Sequence, residues 1–157
     1  TTRLGLRWEV AEESGPWPGL GLIGEVRTAY GRSRPATEFA VTAALGRTLW
    51  EGPRAAAADA NLGWATPVNP EPGERPGRYS LGLAFGQHLT PDTALVAAYI
   101  REQQDRGERD SNLVQAGVRH RLGDGLPELG VALSAGLGRD SPRWQLGVAL
   151  VWSFGAE

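Results

Sequence analysis

The sequence predicts an all-β chain folded as an antiparallel sheet. Apolar residues alternate with small or polar ones in nine segments along the 157 residues. These segments run to roughly 9–13 residues, against ~5–6 for ordinary strands and about 9–11 for a tilted strand that crosses a bilayer. The linkers alternate between compact turns rich in Gly, Pro and Asp and more charged loops, two of them long.

The first segment, 2–10, sets Leu4, Leu6, Trp8 and Val10 against Arg3, Gly5, Arg7 and Glu9. The second, 19–30, sets Leu20, Leu22, Val26 and Tyr30 against Ile23, Glu25 and Arg27. The third, 38–50, sets Phe39, Val41, Ala43, Leu45 and Leu49 against Glu38, Thr42, Gly46 and Thr48, and ends on Trp50. The fourth, 54–64, sets Ala58, Ala60, Leu62 and Trp64 against Asp59, Asn61 and Gly63. Its run Ala55–Ala58 also favours helix; read as a helix, it leaves an eight-stranded barrel with 51–77 as one long loop.

The fifth, 78–89, sets Tyr79, Leu81, Leu83, Phe85 and Leu89 against Arg78, Ser80, Gly82, Ala84, Gly86 and His88. The sixth, 93–102, which carries Tyr99, is ambiguous in phase. The seventh, 111–122, sets Val114, Ala116, Val118 and Leu122 against Gln115, Gly117, Arg119 and Arg121. The eighth, 128–137, sets Leu129, Val131, Leu133 and Leu137 against Glu128, Gly130, Ala132, Ser134 and Gly136. The ninth, 144–154, sets Trp144, Leu146, Val148, Leu150, Trp152 and Phe154 against Gln145, Gly147, Ala149, Val151 and Ser153.

The second face of these strands is too bare to form a protein core, because a sandwich or filled barrel puts its large residues inside. The large residues lie on the other face, which far exceeds the few hundred Å² of apolar patch that soluble monomers expose. Turned to lipid, that face is favourable. The opposite face then lines a lumen, with Arg7, Glu9, Glu25, Arg27, Asp59, Asn61, Arg119 and Arg121 among its residues. The aromatics fit this division. Trp8, Trp17, Trp50, Trp152 and Phe154 fall at the short-turn ends, and Tyr30, Phe39, Trp64, Tyr79, Tyr99 and Trp144 at the long-loop ends, with only Phe85 in mid-strand. Two such girdles mark the interfaces of membrane barrels. Short turns on one rim and longer loops on the other have the same source, and the charged loops are expected to face outward.

Composition narrows the function. A formal charge of −2 offers no basic excess for phosphates, so nucleic acid is not expected as a partner. The chain has no Cys and no Met, which removes disulfides, thiolate nucleophiles and cysteine metal sites. No window approaches about 18 continuous apolar residues, so no transmembrane helix is expected. No signal segment opens the sequence; an exported protein has lost it, or the numbering starts inside a longer chain.

Catalytic chemistry is poorly represented. The two histidines, His88 and His120, lack a serine partner at suggestive spacing and read as rim residues. Asp105, Glu108, Arg109 and Asp110 share one outer loop without the spacing of a calcium loop, and read as a solvated charge run. Asp140 beside Arg143 reads the same way. No catalytic residue, metal ligand or cofactor is assigned. The lumenal Arg and Glu residues have two readings, a cross-strand ion-pair network or the selective lining of a pore.

Four stretches together resemble a known family: TTRLGLRWEVAEESGPWPGLGLIGEVRTAYG, DANLGW, LTPDTALVAAYIREQQDRGERDSNLVQAGVRHRL and GLGRDSPRWQLGVALVWSF. They are similar to outer-membrane barrels of the MetA-pathway-of-phenol-degradation, transporter-like family, over nearly the whole chain. The resemblance implies a bacterial outer-membrane location, lipid as the main partner, insertion by the barrel-assembly machinery, and uptake of hydrophobic or aromatic solutes. Family members close on the terminal Phe, whereas Gly155–Glu157 follow Phe154 here. They also carry further strands before the first segment. An even strand count is the rule for bacterial barrels, so residues 1–157 are expected to be one barrel domain within a barrel of about twelve strands. The function expected is a passive channel for small solutes. The alternatives are a closed structural membrane anchor and a soluble barrel binding an apolar ligand.

Overall fold

The structure, a computed structural model, describes residues 1–30, 36–123, 126–138, 141 and 143–152. It is one nine-stranded antiparallel sheet in sequence order: β1 (Thr2–Ala11), β2 (Gly19–Ala29), β3 (Ala36–Trp50), β4 (Ala56–Pro67), β5 (Arg78–Thr90), β6 (Thr93–Glu102), β7 (Ser111–Arg121), β8 (Glu128–Gly136) and β9 (Trp144–Val151). No helix occurs among the described residues. β1 and β9 do not pair with each other, so the sheet is open.

The eight-strand alternative is corrected by β4. Ala56–Ala65 pair with β3 on one side and β5 on the other. Two complete ladders satisfy the backbone and outweigh alanine's preference for helix. The small side chains also leave room for large neighbours. Ala56 stands opposite Trp50 and Ala58 opposite Phe85, whose rings meet with centroids 6.2 Å apart.

One rim of the sheet carries the tight connections. The β1–β2 turn closes on the bridge Ser14–Trp17, with amide-to-carbonyl distances of 3.0 and 3.1 Å. Its Gly15 has φ +55°, a conformation that L side chains rarely adopt. The β5–β6 turn is only Pro91–Asp92. The opposite rim carries the two longest connections, 68–77 and 103–110, and these clasp each other. The Arg106 amide donates to the Gly73 carbonyl at 3.1 Å, and the Arg75 amide to Asp105 Oδ1 at 3.1 Å.

Register fixes the faces. Residues directly opposite in an antiparallel pair point to the same side. The rows Leu4–Val26–Phe39 and Leu22–Ala43–Leu62–Leu81 therefore share one face with Leu83–Tyr99–Val114 and Val131–Val148. The row Asn61–Gly82 and the rows Asp59–Ala84–Ala98–Gln115–Ser134 and Val96–Gly117–Ala132–Gly147 form the other. The ambiguous β6 is settled: Leu95, Ala97, Tyr99 and Arg101 join the apolar face.

Along β7 and β8 exposure follows the same period and runs opposite to that of a soluble sheet. On β8, Val131 and Leu133 are exposed while Ala132 is half-buried and Ser134 buried. On the interior strands Leu62 (60 %) and Leu133 (58 %) lie open. Among the described residues no second layer covers the polar face, yet its residues on β5–β8 are mostly half-buried, so the sheet curls around that face. Three bulges, at Glu9/Ala11, Thr48/Trp50 and His88/Thr90, all lie at the turn-rim ends of strands, where bulges bend a sheet and increase its twist. The edge strands β1 and β9 are exposed on both faces.

Candidate functional site

The sheet offers two surfaces with different chemistry, and the polar one carries the candidate site. Register places Arg7, Glu9, Glu25, Arg27, Asp59, Asn61, Arg119 and Arg121 all on the polar face. It brings only some of them into contact. Arg27 binds Glu25 on its own strand at 2.5 Å and reaches Glu38 of β3 at 3.5 Å. Arg78 of β5 binds the other Glu38 oxygen at 2.9 Å and approaches Asp105 of the β6–β7 loop at 3.6 Å. The contact from β5 to β3 crosses two strand spacings, roughly 9.6 Å. It is possible because β4 presents only Ala65 and Pro67 there.

Glu25, Arg27, Glu38, Arg78 and Asp105 thus form a continuous charge chain near the loop rim. Each partly exposed pair contributes about 0.2–1 kcal/mol, so the chain's main effect is to fix side chains across one end of the polar face. Glu38, Arg78 and Asp105 were absent from the lumen-lining residues expected from sequence. Glu38 and Arg78 do stand in the polar phase of their segments, which is the signal that could have found them.

The rest of the polar face is more open. Arg119 is held by Glu128 at 2.5 Å. Asp59 has no ion pair among the described residues; Gly46 lies opposite it, and a Cβ at position 46 would stand 2.9 Å from Asp59 Oδ1. Depressions formed by the described residues lie on this face. One, of about 630 Å³, lies under the loop rim beside Arg27, Glu38, Arg78 and the 68–75 stretch. Another, of about 520 Å³, lies towards the turn rim beside Asp59, Ala84, Gly86, Ala98, Gln115 and Arg119.

The apolar face carries the aromatics. Trp8, Phe39, Trp64, Tyr79, Tyr99 and Trp144 all lie on it by register. Tyr30 and Trp152 follow the ends of β2 and β9 and are exposed. Trp50 would point to the polar face in an unbroken β3. The Thr48/Trp50 bulge shifts its phase and lays it beside Phe85, so Phe85 belongs with the turn-rim aromatics although it stands in mid-strand. Single-period reading could not reveal this. At the loop rim, Tyr79 donates its hydroxyl proton to Asp110 Oδ2 at 2.9 Å, and Tyr99 to Asn112 Oδ1 at 2.8 Å. Arg101 binds the same Asp110 oxygen at 2.6 Å and lies 5.9 Å from the centre of the Tyr79 ring. The hydrogen bond from Arg101, then that from Tyr79, holds the Asp110 carboxyl below the usual carboxylate range.

The remaining polar residues serve the scaffold. His120 lies on the apolar face, with Nδ1 2.9 Å from Thr93 Oγ1, while His88 lies on the polar face and its amide bonds the Ala55 carbonyl. Asp105 and Asp110 are held rather than simply solvated, since Asp105 accepts from the Arg75 amide and pairs with Arg78, and Asp110 pairs with Arg101. Glu13, in the β1–β2 turn, accepts both the amide and the hydroxyl of Thr48 at 3.0 Å where β3 runs past the end of β2. Phe154, Asp140 and the tail Gly155–Glu157 lie outside the described residues. Among the described residues, no group of three or more His, Cys, Asp or Glu side chains is arranged to hold a metal ion.

No family model matches the chain, and no curated protein matches it at a significant level.

Proposed function

We propose that this sheet is the wall of a transmembrane β-barrel in a Gram-negative-type outer membrane, and that the barrel is a passive channel for small, hydrophobic or aromatic, solutes. The observation that carries it is the inverted exposure. Large apolar side chains stand open on one face of every strand except β2, while the curled face holds mainly small, polar and charged residues. Lipid around the first face and water along the second satisfy both.

β1 and β9 run in the same direction, so closure by antiparallel pairs alone takes an odd number of further strands between them; three make the twelve-stranded barrel of the family the sequence resembles. Diffusion needs no catalytic group, and solute preference comes from the charges lining the lumen. A closed anchor is the second reading. The chain of ion pairs from Glu25 to Asp105 favours it, because the pairs and the clasped loops draw together one end of the lumen.

Folding in detergent followed by planar-bilayer recording tests both. A heat-modifiable band on gels together with stepwise conductance supports the channel. The same band with no current leaves the anchor. A monomer that stays soluble without detergent overturns the membrane barrel altogether.

A further inference from the structure

We infer that the turn-rim depression of the polar face binds compact organic cations, with Asp59 as the group that recognises their charge. The inference rests on the polar face being a water-filled lumen.

Three observations converge. The depression measures about 520 Å³, within the roughly 300–1,000 Å³ of ordinary small-molecule sites. Its charge is unbalanced. The Arg119 guanidinium is neutralised by Glu128 at 2.5 Å, whereas the Asp59 carboxylate has no cationic partner among the described residues. Its walls are small and mainly apolar: Ala84 lies directly opposite Asp59, with Ala94, Val96 and Ala98 beyond it.

A carboxylate above such a floor suits a ligand that is itself a charge on an alkyl body. The ammonium meets Asp59 and the alkyl groups cover the alanines. A hydrated metal ion gains little here, because one carboxylate supplies too few oxygen ligands. An anion is disfavoured by Asp59 and must displace Glu128 from Arg119. Gly46 sets the position of the recognising group, since any side chain there meets Asp59 Oδ1.

The test is a titration of the folded, detergent-solubilised protein with tetraethylammonium chloride, read by calorimetry or NMR. Saturable binding is expected, weakened about tenfold in Asp59→Asn. Ala84→Leu, which fills the floor without changing charge, is expected to weaken it as much. Glu102→Gln removes a polar-face carboxylate outside the depression and should leave affinity unchanged. Failure of the wild type to saturate overturns the inference. So does unchanged affinity in Asp59→Asn and Ala84→Leu, or an equal loss in Glu102→Gln. Conductance of the same preparation separates this from the channel: binding without current removes the channel and keeps the site, and current without saturable binding does the reverse.

Discussion

Replacing Val148 with arginine places a charge at the middle of the apolar face. Val148 lies midway between Trp144 and Trp152 and is 65 % exposed. At ~3.3 Å per residue those two tryptophans stand roughly 26 Å apart along the chain. A tilt of about 40° brings this to roughly 20 Å across the membrane, comparable with the ~25 Å apolar band of barrel proteins. Val148 is then about 10 Å from either interface, near the bilayer midplane, where an arginine costs about 2–4 kcal/mol. In water the same open position tolerates the change within about 0.5 kcal/mol. Denaturant unfolding from phospholipid vesicles, followed by tryptophan fluorescence, measures the difference. Gly147→Arg, on the opposite face, is the paired control and is expected to cost far less. A cost below about 0.5 kcal/mol for Val148→Arg, or equal costs for the two variants, refutes the lipid-facing assignment.

Further outcomes follow from particular contacts. Gly117→Val is expected to prevent or strongly weaken folding, because a Cβ there would stand 2.6 Å from the Val131 carbonyl oxygen and 2.8 Å from Ala132 Cβ; Gly24→Ala, with open space around it, should fold normally, and heat-modifiability on gels compares them. Asp110 has a lowered folded pKa, so the stability it gives the β6–β7 loop is present above its unfolded pKa and is lost as pH falls through the folded value. Proteolysis at Arg106 is therefore expected to accelerate in acid in the wild type, and to show a much weaker pH dependence in Asp110→Asn.

The nine strands were legible because their alternation is strong and Gly, Pro and Asp punctuate them. Even the β4 alanines kept the period, through Leu62 and Trp64 facing away from Asp59 and Asn61. Bulges were not legible, since they shift phase without a fixed residue signature, and Trp50 changed face at one. The polar face was legible by parity, but its pairing was not. Parity puts Arg27 and Arg78 on one side; only the register and the small Ala65 between strands show that both arginines reach Glu38. The contact of Asp105 with Arg75 depends on how two long loops meet, and those of Asp110 on how its loop folds back onto Tyr79 and Arg101, which no local pattern encodes.

The absence of cysteine makes single-cysteine labelling clean, and it tests the two-faced wall most directly. Cysteines placed at Ala132, Gln145, Gly147 and Ala149 on one face, and at Leu133, Leu146, Val148 and Leu150 on the other, are exposed in lipid vesicles to a membrane-impermeant maleimide. Labelling is expected to alternate with period two, the polar-face set reacting and the apolar set protected until detergent is added. Uniform labelling, or reaction of the apolar set with protection of the polar one, contradicts a lipid-facing apolar wall around an aqueous lumen.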